Sequence, residues 1–156
     1  MKLTLILFVL LLIGIIAALT TLGVKSRSGA AAGLVAGKLT DCPKQPNCIC
    51  SEYPEHNDHF VSPIAIDGRK SEPLINDIRT TLVEMQATSI AEQPDYIAAT
   101  FASKTFKFID DFEIRIDTTS GQLHIRSASR VGYSDAGVNR QRVEQFRKLF
   151  MSRNQR

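Results

Sequence analysis

A chain of 156 residues suffices for one modest folded domain, and its 44% hydrophobic and 22% charged content is that of a globular protein. The formal net charge is only +3, and no basic run is interleaved with aromatics, which excludes an ordinary nucleic-acid binder. Lys2, Lys25 and Arg27 account for that whole excess, so the rest of the chain is neutral overall. The neutrality is uneven: from Gly121 onward eight Lys or Arg stand against two acids, Asp135 and Glu144, an excess that either gives one end of the domain a positive field or is neutralised across the fold by the acidic part between Ser28 and Ser120.

Residues 3–24, LTLILFVLLLIGIIAALTTLGV, carry no charge. At about 1.5 Å per residue this run spans a hydrocarbon core of about 30 Å. A secretory signal has a shorter apolar centre, of about 7–15 residues. Residues 1–27 are therefore read as an N-terminal transmembrane anchor, with cleavage near Ala30, Ala31 and Ala32 as the competing reading. Residues 28–40, rich in Gly and Ala, read as a flexible tether. Residues 41–156 then form the folded domain. Lys2 on one side and Lys25 and Arg27 on the other leave the positive-inside rule without a vote.

Three cysteines follow within nine residues, in DCPKQPNCICSEYPEHNDH. Such a cluster suits an oxidising compartment. The expected location is the cell membrane, single-pass, with the soluble domain outside the cytoplasm and periplasmic in a Gram-negative cell. Three prolines make the stretch a loop. A disulfide between Cys42 and Cys48 would restrain it. Three thiolates with His56 or His59 on zinc is the competing chemistry, but the spacing C-x5-C-x-C-x5-H-x2-H is unlike usual zinc patterns. No metal or cofactor is assigned. Cys50 is the spare thiol, placed to bridge to a partner chain.

Residues 60–66 read as a short strand, at an edge because Pro63 has no N–H. Pro73 opens a helix capped by Ser71 or Glu72, with Leu74, Ile75, Ile78, Leu82 and Met85 as its buried stripe. Residues 95–103 place Ile97, Ala99 and Phe101 on one face. Residues 111–117 alternate cleanly, with Phe112, Ile114 and Ile116 inward and Asp111, Glu113, Arg115 and Asp117 outward. TTSG (118–121) turns the chain into a strand over 122–128. The SKTFKF segment (103–108) is a hairpin corner or a membrane-touching loop. A last helix over 138–150 carries Val143, Phe146 and Phe150. Strand, helix, three antiparallel strands and helix predict an α+β fold, a small two-layer sandwich with an antiparallel sheet and two helices after the transmembrane helix.

The stretch RSASRVGYSDAGVNRQR (126–142) holds four arginines and three serines around two valines. Ser134, Asp135 and Asn139 are good helix N-caps. A helix N-terminus facing Arg126, Arg130 and Arg140 has the ingredients of an anion site. Ser127 and Ser129 complete the candidate ligand-binding set of Arg126, Ser127, Ser129, Arg130, Ser134, Asp135, Asn139 and Arg140. The structural alternative pairs these arginines with Asp110, Asp111, Glu113 and Asp117, one strand away.

The segments CPKQPNC, TFASKTFKFIDDFEIRI and RSASRVGYSDAGVNRQRVE together resemble the family known as domain of unknown function 1499, over about residues 41–150. Cys50 departs from that pattern, where a serine is expected. The resemblance implies membrane-associated or exported bacterial proteins, with plastid relatives, and no established activity. Two functional classes follow. One is a non-enzymatic binding or accessory domain, held to the membrane by its N-terminal helix, for an anionic small molecule, a lipid head group or a protein partner. The other is a hydrolase of an anionic envelope component using His124 or His59. Neither Ser127 nor Ser129 has an obvious base, since His124 points to the opposite sheet face from Ser127.

Overall fold

The computed structural model describes residues 2–66, 68 and 71–153. Helix α1 (Lys2–Arg27) contains the whole uncharged run and ends on Lys25 and Arg27. It is long and apolar enough to cross a membrane. Its residues 2–18 are exposed, whereas Gly23 and Ser26 near its end are buried. The domain therefore grips only the last turns of this helix.

Residues 28–40, expected to be a flexible tether, are instead pinned to the domain. Strands β1 (Leu34–Val35) and β2 (Lys38–Leu39) form a hairpin whose turn residues, Ala36 and Gly37, both have positive φ, 50° and 78°. Two successive positive φ values match the right-handed twist of paired strands. The fully buried Leu39 side chain holds this hairpin against the sheet.

The main sheet contains β3 (Cys48–Cys50), β4 (Ile64–Ala65), β5 (Ser89–Gln93), β6 (Tyr96–Ala102), β7 (Ile109–Asp117) and β8 (Gln122–Ser129). Its order is β3-β8-β7-β6-β5, with β4 beside β3 on the outer flank of β8, and every pair is antiparallel. Of the strand expected over 60–66 only β4 forms, at the edge as Pro63 requires, and Phe60 makes an isolated bridge to Cys50. The two additional strands, β3 and β5, are short edge strands at opposite ends.

Helix α2 (Ser71–Glu84) has Pro73 in its first turn, where a missing N–H costs nothing. The capping expected of Ser71 lies outside the described side chains. Leu74, Ile78 and Leu82 are fully buried, each contributing about 1.5–3 kcal/mol of hydrophobic stabilisation. Helix α3 (Val138–Arg153) buries Val143, Phe146 and Phe150. Phe112 of β7, Phe146 and Phe150 pack in series at 5.3 and 5.5 Å between ring centroids, the first pair tilted and the second stacked. Both helices share one core with Ile97, Ala99, Phe101, Phe112, Ile114, Ile116, Leu123 and Ile125, the face that strand alternation predicts. The result is an α+β domain with an antiparallel sheet and two helices, following a long apolar helix.

The other sheet face departs from expectation. Asp111 and Glu113, assigned outward, are 4% and 0% exposed. The β1–β2 hairpin and the cysteine loop cover that face, so outward from the helices is not outward into water.

Candidate functional site

Parity sends the side chains of Asp111, Glu113, Arg115, His124 and Arg126 to the covered face. Burial there demands that each charge be paired. Glu113 accepts from Arg126 Nη1 at 2.7 Å, from the Tyr96 hydroxyl at 2.6 Å and from the Gly33 backbone N–H at 2.7 Å. Burial, and then the bond to the Glu113 carboxylate, push the Tyr96 phenol up. Arg130 grips both oxygens of Asp111, at 2.9 and 2.7 Å, and donates to the Ser26 carbonyl at 3.2 Å. Arg126 and Arg130 thus form the carboxylate pairs that were the alternative to an anion site.

On the helix side, Asn139 is 1% exposed. Its Oδ1 accepts from Ser127 Oγ at 2.6 Å and Arg142 Nη1 at 2.7 Å. Its Nδ2 donates to the Asn47 carbonyl at 2.9 Å and Ser129 Oγ at 3.1 Å. Ser127 and Ser129 therefore both bond Asn139, which ties β8 and the residue before β3 to α3. Asp135 caps α3, accepting from the Gly137 and Asn139 N–H groups at 3.0 and 2.7 Å, and Ser134 Oγ accepts from the Ala136 N–H at 3.3 Å. The chain's own carboxylate thus occupies the helix N-terminus at which an external anion was expected.

Arg140 stands apart from Arg126 and Arg130. It is exposed and donates to the backbone carbonyls of Asp58 and Phe60, at 2.9 and 3.0 Å. Carbonyls satisfy its N–H groups without cancelling its charge. It lines a cavity of about 290 Å³ with Lys44, Asp58, His59, Tyr133 and Asp135. His59 Nδ1 lies 2.9 Å from the Cys48 carbonyl. A carbonyl only accepts, so Nδ1 carries the proton and Nε2 is the acceptor of the neutral ring. Of the eight predicted ligand-binding residues this cavity contains Asp135 and Arg140. Lys44, His59 and Tyr133 were missed, because only the fold brings the cysteine loop over the start of α3.

That loop is closed by the disulfide between Cys42 and Cys48, which removes both thiolates from metal binding. Cys50 is 2% exposed, and burial raises its thiol to about 11. The bridge from Cys50 to a partner chain is therefore corrected: the thiol is out of reach and protonated. His124, one of two candidate bases, lies 3.3 Å from Ser51 Oγ and 3.7 Å from Glu52. The Ser51 hydroxyl is 3% exposed and accepts from the Ile125 N–H at 2.8 Å. Glu52 accepts from Arg115 at 2.6 Å. These groups interlock the sheet.

The junction with α1 was also missed. The Ser26 hydroxyl accepts the Ile109 N–H at 3.0 Å. A Cβ on Gly23 would lie 2.2 Å from the Phe106 carbonyl oxygen, so only glycine permits this approach. A lone Gly and Ser in the last two turns of an apolar helix were the available signal.

No curated protein and no solved structure matches this chain. Residues 38–150 match the model of the family described as "Protein of unknown function (DUF1499)", and the chain belongs to that family.

Proposed function

We propose that this is a single-pass membrane protein whose domain stands outside the cytoplasm, held at the membrane surface by α1. It acts as a non-enzymatic binding domain, taking an anionic group at Lys44 and Arg140. The disulfide favours an oxidising compartment. The contacts of Gly23 and Ser26 favour an anchor that stays attached, since cleavage near Ala30 would remove them.

One observation carries the binding reading: Arg140 keeps its charge among carbonyls, beside Lys44, whereas Arg126 and Arg130 are neutralised. Phosphate and carboxylate groups share the chemistry that such a pair recognises. Hydrolysis gains no support from Ser51 and His124, whose groups serve the sheet.

Calorimetric titration of the full chain in detergent, with inorganic phosphate and with glycerol phosphate, tests this. Saturable binding is expected, and Arg140→Ala should weaken it about 10–100-fold, as loss of about 1.5–3 kcal/mol of charge-assisted bonding implies. Equal binding by the wild type and by Arg140→Ala with Lys44→Ala would contradict the assignment.

A further inference from the structure

A second cavity, of about 430 Å³, lies between the end of α1 and the domain. We propose that it receives an acyl chain of a bilayer phospholipid. This rests on α1 spanning the membrane, as proposed above. Leu19 and Leu22 of α1 form one wall, and Phe108, Val131, Ala136 and Val138 line the other side.

The polar side chains around this cleft are already committed. Ser103 Oγ accepts the Phe108 N–H at 2.9 Å, and Asp110 accepts from Arg142 at 2.9 Å. Ser129 accepts from Asn139, Ser134 from Ala136, and Asp135 caps α3. Among the described lining residues there is no Lys, Arg or His and there are two acids, Asp110 and Asp135, so the cleft does not suit an anion, and the rest of its wall is largely apolar. A cleft of this size lies within the range of about 300–1,000 Å³ usual for small-molecule sites.

Depth selects the occupant. From Leu3 to Leu22 the helix covers about 30 Å, the thickness of a hydrocarbon core. Leu19 and Leu22 therefore stand at the level where acyl chains meet head groups, on a helix whose preceding residues are exposed. A bilayer chain reaches the cleft without crossing water. Lys25 and Arg27 at the end of α1 are exposed, as are Lys104 and Lys107 in the loop whose Phe106 abuts Gly23. These cations favour a lipid with an anionic head group.

The chain contains no tryptophan, so one introduced indole reports alone. Full-length Phe108→Trp and Val138→Trp, the latter at the exposed rim of the cleft, would be reconstituted in vesicles of phosphatidylglycerol and phosphatidylcholine brominated along the acyl chains. Leu12→Trp, within α1, reports insertion, and Val83→Trp, exposed on α2, reports background. Leu12→Trp and both cleft variants should lose emission to the brominated chains relative to unbrominated vesicles, while Val83→Trp keeps its own. Filling the cleft with Val131→Phe should restore emission at Phe108→Trp.

Quenching of Leu12→Trp but of neither cleft variant overturns the inference and leaves the anchor standing. Quenching at Phe108→Trp that persists with Val131→Phe also overturns it, since the ring then merely lies near lipid. A cleft signal that follows protein-to-lipid ratio, not bromination, assigns the site to a second copy of the chain and overturns it too. No quenching of Leu12→Trp removes the membrane reading and this inference with it.

Discussion

Glu113 is fully buried and holds Arg126, Tyr96 and the Gly33 backbone together. Glu113→Gln keeps the shape and removes the charge, leaving the Arg126 guanidinium uncompensated. The expected cost is about 3–5 kcal/mol in urea unfolding; a change within error would mean that water reaches this pair. Asn139→Ala strips partners from Ser127, Ser129 and Arg142, at about 1–3 kcal/mol for each group left unpaired. Burial holds the His124 imidazole below its ordinary value of 6.5, against the pull of Glu52. The folded ring is therefore neutral where the unfolded ring takes a proton. Its stabilising contribution is complete above the unfolded value and is lost as pH falls through the folded one. Urea unfolding at about pH 7.5 and about pH 5 should show a larger loss for the wild type than for His124→Gln. Equal losses would place the ring in water.

Among the elements, the cysteine loop and the β1–β2 hairpin turn a half-solvated sheet into one covered on both faces. The disulfide spans a separation of 6 residues, and replacing Cys42 and Cys48 with serine should cost about 2 kcal/mol by loop-closure entropy. Alternation and helical spacing made α2, β6, β7, β8 and α3 legible, because each has one apolar face and one core to meet. The short strands were not. β5 reads SIAEQ, is largely exposed and alternates with nothing, and β3 is three residues inside a proline-rich loop. The candidate site was legible only in part for a related reason. Parity shows which face Arg126 takes, but not that the hairpin will cover that face and force its charge onto Glu113. The capping role of Asp135 was legible, yet not that its carboxylate would displace the anion expected there.

For the whole molecule, the central claim is that α1 belongs to the mature protein and is locked to its domain through Gly23, Ser26 and Arg130. Gly23→Leu should break that lock and raise protease cutting between residues 28 and 40, with the sheet intact by circular dichroism. The most direct test is the intact mass of the protein from its own host's membranes. The predicted result is a membrane-bound species that retains α1 and weighs two hydrogens less than its reduced form. A chain shortened to begin near Ala30, recovered outside the membrane fraction, would contradict the account.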